Sequence, residues 1–411
     1  MRTYATLIGL LALPLLALAG PLDPPAGPIA PTPGPEPRTA INNTNTPGDA
    51  DSLYKITQPG SYYLTGNITG VVGKHGIEIA ASGVTLDLNG FDMSGVAAMG
   101  AFDGISVTLL NQSNITIRNG SVRSWGDEGI DLGTIAAANC RFEGVSARSN
   151  AGNGILVGPT STLTDCTATS NAGNGISTGI NSHITSCSAT NNTSNGINAT
   201  ISSTLTDCSA SSNTGFGIVV GNGGTASNCS AYDNAGFGIS VGLSSTAINC
   251  SAYSNTGGGF FVSTGSSLTN CSAYSNFGNG IVASFASIIG CSARSNYLDG
   301  IQVSSSCIVR GNISALNGIN TTTGANIHAT GSDNRIEENN CLSADFGVKV
   351  DAAGNFIVRN SGSGSTVEWE MVANNVVGPI LDRRSPSSAA VSGPSYAGSL
   401  GTTDPNANFS Y

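Results

Sequence analysis

Thr162-Leu163-Thr164-Asp165-Cys166-Thr167-Ala168-Thr169-Ser170-Asn171-Ala172-Gly173-Asn174-Gly175-Ile176 is followed, 21 residues on, by His183-Ile184-Thr185-Ser186-Cys187-Ser188-Ala189-Thr190-Asn191-Asn192-Thr193-Ser194-Asn195-Gly196-Ile197. The pattern recurs in both directions. Cys166, Cys187, Cys208, Cys229, Cys250 and Cys271 keep the 21-residue interval, Cys291 follows after 20, and Val145 holds the same phase one step earlier. Asn150, Asn171, Asn192, Asn213, Asn234, Asn255, Asn276 and Asn296 form a second column. Gly154, Gly175, Gly196, Gly217, Gly238, Gly259, Gly280 and Gly300 form a third, each followed by Ile or, once, by Phe260.

A period this short does not suit a propeller blade or a helical pair, and the Leu spacing of leucine-rich repeats is missing. Apolar and polar residues alternate instead, which means strands. One coil then offers Thr162-Leu163-Thr164, Cys166-Thr167-Ala168 and Gly175-Ile176-Ser177-Thr178 as three short strands, with Leu163, Cys166, Ala168 and Ile176 inward. Stacked coils place equivalent residues about 4.8 Å apart, so each sequence column becomes a ladder in space. The expected fold is all-β, a parallel β-helix.

Each column then has a physical reading. An inward Asn at a sharp bend can bond the amides of its neighbours above and below. The Gly before the inward Ile suits a bend that needs permissive backbone angles. Aligned Cβ vectors one strand apart exceed the ~3.5–4.5 Å that a disulfide prefers. The Cys column is therefore read as buried thiols filling a narrow core. Cys140, Cys307 and Cys341 lie outside it.

Working outward, Ile77, Ile105 and Ile130 carry the Gly-Ile pair at longer spacings, and Ile327 and Val348 continue it more loosely. About thirteen coils follow, roughly 60 Å of cylinder. The β-helix with its end caps is expected over residues 54–380, with a Ser/Gly/Pro-rich tail at 381–411. Residues 21–53 read as a linker, since eight prolines fall between Pro21 and Pro37 and favour an extended spacer. Residues 1–20 read as a signal peptide: Arg2, an apolar run from Leu7 to Leu18, then Ala17-Leu18-Ala19-Gly20. The expected location is secreted or cell surface. No later stretch reaches the ~18 apolar residues of a membrane span. A net charge of −10 with only 10% charged residues gives no basic stripe for nucleic acid.

Gly-Asn-Gly-Ile, Cys-x-Ala and x-Ser-Asn, with Val-Thr-Leu-Asp-Leu-Asn-Gly at 84–90 and Ile-Arg-Asn-Gly at 117–120, resemble right-handed parallel β-helix repeat proteins of the pectin-lyase-like superfamily. The likeness covers about residues 54–378. It is nearest to a group of exported bacterial β-helix proteins with similar Ser-Tyr-Tyr-Leu openings and Gly-Thr-Thr-Asp-Pro-x-Ala-Asn-Phe endings. Enzymes of that superfamily, the resemblance implies, use Asp clusters with Ca²⁺ or a Lys/Arg base. The regular coils depart from that pattern, because their outward first-strand residues are mostly Thr and Ser. The fold serves enzymes, adhesins and scaffolds alike, so it does not choose among them.

Candidate chemistry gathers at the amino-terminal end. The position before the Gly of the Gly-Ile pair reads His75, Asp103, Glu128, Asn153, Asn174, Asn195, Phe216, Phe237, Gly258, Asn279 and Asp299. Asp103 and Glu128 on adjacent coils could divide acid and nucleophile roles in glycoside cleavage, or share a cation. His75, Asp127, Asp131, Arg118 and Arg123 lie near enough to assist. The plainer reading makes the carboxylates solvated turn residues and pairs the arginines with Asp87 and Asp92. Trp125 could stack on a sugar or close a turn. An outward column of Tyr232, Tyr253 and Tyr274 could meet a saccharide or simply stabilise the sheet.

The sequence thus favours an exported, non-catalytic scaffold binding polysaccharide or a surface partner, with no metal or cofactor. The alternative is a polysaccharide lyase or glycoside hydrolase at Asp103 and Glu128, and only there does Ca²⁺ enter.

Overall fold

The computed structural model describes residues 38–133, 137–318, 323–382 and 404–411. The expected signal peptide, linker residues 21–37 and tail residues 383–403 lie outside them. All regular structure among the described residues is β-strand, and every strand-to-strand ladder is parallel.

The strands Thr162–Thr164, Thr167–Thr169 and Ile176–Thr178 make up one coil. They pair in register with the next coil through Leu163 and Ile184, Ala168 and Ala189, and Ile176 and Ile197. Cys166 and Cys187 are therefore neighbours one rung apart, as the repeat required. The third strands of all coils stack into one ladder of fifteen, from Ser52–Ile56 to Val367–Met371. Thirteen coils was an undercount, because Tyr54 and Trp369 occupy the Ile position at the two ends without a Gly-Ile pair to announce them. Both expected boundaries move outward too. Thr39–Ala40 already pairs with Tyr62 and Tyr63, and Asn408–Ser410 returns to pair with Ser361–Gly362 and with Ile380–Asp382.

Three corners turn each coil. Thr160, Asp165 and Ser170 have φ of 56°, 53° and 58°, a left-handed conformation that costs a non-glycine residue roughly 1–2 kcal/mol. Each precedes an inward residue, Ser161, Cys166 or Asn171, all buried. At the third corner the offset is visible bond by bond. Asn171 donates from its backbone N and from Nδ2 to Asn192 Oδ1, at 3.0 Å each, and from Nδ2 to Ala147 O at 3.2 Å. Its own Oδ1 accepts both donors of Asn150. Every hydrogen and lone pair of the buried amide is engaged, which is the condition for keeping it in a core. The chain of amides continues to Asn317.

The other corners carry the same device in different chemistry. Cys166 Sγ donates to Thr164 O at 3.4 Å, and Cys250 N donates to Cys271 Sγ at 3.3 Å. After Cys291 the column changes to Asn312, Asn339 and Asn360. The remaining corner uses Ser161, Ser182 and Ser203, then Ser245 and Ser266, then Cys307, Asn334 and Asn355. All ten cysteines are buried free thiols.

The repeated Gly has a different cause from the one its position suggests. None of the eight glycines from Gly154 to Gly300 in this column has a positive φ. An added Cβ at Gly175 would instead lie 2.6 Å from Asn192 Nδ2 and 2.7 Å from Gly196 O. The column is Gly because successive coils leave no room for a side chain.

Replacing Asn234 by Ala strands the donors of Asn213, which bond its Oδ1 at 3.0 Å. Each buried unpaired group costs ~1–3 kcal/mol, so a total near 3 kcal/mol is expected. Cys229→Ala removes one S–H···O contact and should cost about 1 kcal/mol. Denaturant midpoints of the two variants check the ranking, and equal midpoints would contradict it.

Candidate functional site

The structure brings the amino-terminal group together. Asp103 is 5% exposed; its backbone N donates to His75 Nδ1 at 2.9 Å, and its carboxylate lies 3.3 Å from the same nitrogen. Glu128 N donates to Asp103 Oδ1 at 3.0 Å, and Asn153 Nδ2 donates to Glu128 Oε1 at 3.0 Å. The side chains in this column thus bond across successive rungs, much as the corner residues do. Burial, with Asp127 and Asp103 alongside, pushes the Glu128 carboxyl up to about 7. Asp131 is also raised, by burial and by the same carboxylates, although Gly133 N–H opposes the shift. Burial disfavours the His75 cation, yet Asp103 holds its pKa above the ordinary value. Ligand atoms of Asp103, Asp127 and Glu128 lie within 4.8 Å of one another, and such oxygens could hold a hard cation like Ca²⁺. Asp49, Asp51 and Glu78 also cluster, but the Lys55 ammonium sits 2.7 Å from Asp49 and 2.8 Å from Glu78.

The other sequence candidates go elsewhere. Arg118 pairs with Asp87 at 3.1 Å and Arg123 with Asp92 at 2.8 Å, on a strand outside the fifteen-strand ladder. Trp125 is not a sugar platform. It is 1% exposed, its indole N–H donates to Met93 O, and it packs against Gly70, Gly76 and Gly104. Tyr232, Tyr253 and Tyr274 do align on an exposed face. Tyr232 and Tyr253 stack with ring centroids 5.0 Å apart and planes 6° apart. One face of each of these two rings is covered by the other, and Tyr274, 49% exposed, continues the column.

A second site was missed, at the carboxy-terminal end of the same ladder. Outward residues there run Phe261, Val282, Gln302, His328 and Lys349 on consecutive strands. His328 Nδ1 lies 2.8 Å from Asp299 Oδ2, and Nε2 lies 2.8 Å from Asp351 Oδ2. Burial opposes the cation, but the two carboxylates raise the His328 pKa above its usual value. Lys349 Nζ lies 4.9 Å over the Phe346 ring and 3.9 Å from Glu370. Two cavities of about 310 Å³ each adjoin at Gln302. Leu243, Phe261 and Val282 line one; Asn279, Asp299, His328 and Lys349 line the other. Asp299 was visible in sequence as the end of the His75 column. His328 was not, because it stands on the outward position after Ile327, a column other than the one before the Gly in which Asp299 lies.

Glu128 and His328, both raised, have the same linkage sign. A folded pKa above the unfolded one gives stability that is complete below the unfolded pKa, about 4.3 for Glu and 6.5 for His. It is lost as pH rises through the folded value. The denaturant midpoint is expected to fall between pH 5 and pH 8, and Glu128→Gln and His328→Gln should each flatten part of that fall. A midpoint that rises with pH would contradict it.

The chain is similar to known β-helices in both sequence and shape. A family model described as a right handed beta helix region matches residues 177–287. The A-module of the Azotobacter vinelandii mannuronan C-5 epimerase AlgE4 superposes with a TM-score of 0.50 at 15% identity, over 78% of this chain and 91% of that one. The tailspike of E. coli bacteriophage HK620, in complex with a pentasaccharide, gives a TM-score of 0.45 at 11% identity, over 86% and 72%. Pectate lyase Pel9A gives 0.35 at 16%, over 64% and 72%. No curated protein matches by sequence. Parallel strands coiled with a 21-residue repeat around one core make the chain a parallel β-helix, the fold it shares with the mannuronan C-5 epimerase module, and residues 177–287 match the right handed beta helix region.

Proposed function

We propose that this is an exported β-helix scaffold that binds a polysaccharide along the outer face of its fifteen-strand ladder, without transforming it. The groove whose two halves meet at Gln302 carries the reading. Leu243, Phe261 and Val282 suit the C–H face of a pyranose, while Asn279, Gln302 and Lys349 suit its hydroxyls; apolar walls with a few convergent polar groups are the usual makeup of a ligand site. Both nitrogens of His328 face carboxylates, which leaves the imidazole no free nitrogen for taking a substrate proton. Export rests on the apolar run and small residues at 7–20. A polysaccharide ligand is in keeping with the mannuronan epimerase of the same fold. The groove residues choose the face. On a glycan array and in pull-downs with insoluble polysaccharides, the mature protein should bind, and Phe261→Ala and Lys349→Ala should each weaken binding about tenfold, the loss of a well-placed contact worth ~1.4 kcal/mol. Blank arrays and pull-downs would end the reading.

One observation favours a second reading, a polysaccharide lyase or glycoside hydrolase at the amino-terminal group. Glu128, with its carboxyl pushed up to about 7 beside Asp103, has the proton affinity that a general acid needs near neutral pH. His75 and Asp131 would assist; Arg118 and Arg123 are held on Asp87 and Asp92. Ca²⁺ would enter only here, at Asp103, Asp127 and Glu128. Oligosaccharide release from a polysaccharide panel, lowered at least a hundredfold by Glu128→Gln, is the expected signature. An unchanged rate would remove Glu128 from the chemistry.

A further inference from the structure

The last coils break the apolar pattern of the interior. The Gly column that ends at Gly300 continues as Asn326, Gly347 and Glu368, and the Ala column that ends at Ala293 continues as Ser314, Cys341 and Gly362. Asn326, Cys341 and Glu368 are at most 2% exposed. Among the described residues, three buried polar atoms here have no hydrogen-bond partner: Asn326 Nδ2, Ser365 Oγ and Glu368 Oε2. Unpaired groups of this kind cost ~1–3 kcal/mol each when left so, and so call for an explanation.

Their placement supplies one. From Asn150 onward each amide Nδ2 donates to the Oδ1 of the next, always toward the carboxy terminus. Asn317 passes the chain to Asn326 Oδ1 at 2.9 Å, so Asn326 Nδ2 is its final donor. Glu368 stands two rungs further on, with only Gly347 between them in the column. An added Cβ at Gly347 or Gly362 would lie 2.8 Å or 2.7 Å from Glu368 Oε2. The carboxylate therefore reaches back into space that the two glycines leave free. An unpaired donor and an unpaired acceptor flank one glycine rung.

We propose that this space is a built site for one small neutral molecule that accepts from Asn326 and donates to Glu368, namely water. A cation fits poorly, because the Asn326 amide presents N–H rather than oxygen. The neighbouring Cys341 thiol is pushed well up by burial and by Glu368, which disfavours the thiolate a metal would require. Buried waters typically make about three hydrogen bonds, and Ser365, whose backbone N–H donates to Glu368 Oε1 at 2.8 Å, carries a further unpartnered hydroxyl. Water here would join a row of aligned amide dipoles to a carboxylate at its positive end, where hydrogen-bond chains polarise one another.

A high-resolution crystal structure of the protein should show one water within hydrogen-bond distance of both Asn326 Nδ2 and Glu368 Oε2. A dry gap, a direct Asn326–Glu368 contact, or a metal ion would overturn the assignment. Hydrogen exchange gives a second readout. Glu368→Gln keeps an acceptor for the water, whereas Glu368→Leu strands it, so amides of the last three coils should exchange roughly tenfold or more faster in the Leu variant than in the Gln variant. Equal rates in the two variants would also count against the site.

Discussion

A corner residue that turns its polar side chain into a narrow core must find partners there, and it can find them only on the coils above and below. That constraint organises the molecule. An Asn at one corner is fully satisfied only if the next coil presents another Asn at the same height, so the sequence must repeat at the length of one coil. Left-handed residues such as Ser170 and Asp165 aim the corner residue inward at a conformational cost of order 1–2 kcal/mol. The hydrogen bonds between rungs offset it.

The three corners show how flexible the constraint is in chemistry and how strict in geometry. Hydroxyl, thiol and amide all serve, and one column passes from Cys291 to Asn312 while keeping its backbone N–H to side-chain bond. The cysteine ladder is thus the middle member of a series of inward hydrogen-bonding groups, which explains why its thiols stay free. Room is the stricter matter. Gly175 tolerates no Cβ because the next coil's Asn amide and glycine carbonyl already stand less than 3 Å from where it would be.

What the sequence made legible is what repeats. The coil length, the inward Leu163, Cys166, Ala168 and Ile176, the Asn ladder and the unbridged thiols all follow from columns within one chain. Features that occur once did not follow. Tyr54 and Trp369 complete the ladder without a Gly-Ile pair, and Asn408–Ser410 joins the sheet from 47 residues beyond Ser361. Trp125 was open to reading as a sugar platform or a turn residue because nothing in its surroundings recurs; packing on three glycines shows that it is buried in the core. His328 escaped for a different reason: it follows Ile327 on the outward side of the strand, outside the column that holds Asp299, its partner in space. The pairing of Arg118 and Arg123 with Asp87 and Asp92 was legible because all four lie on neighbouring strands.

The lengthened coil has a wider meaning. Ile301 and Ile327 remain in register although the 26 residues between them exceed the 20 or 21 of the regular coils just before. The strand ladder closes over the added length, while the interior answers it by changing residues, with Asn326 and Ser314 standing where Gly300 and Ala293 stood one coil earlier. A cylinder built this way can take up extra chain, and with it new surface, one coil at a time, provided that the rungs on either side keep their register.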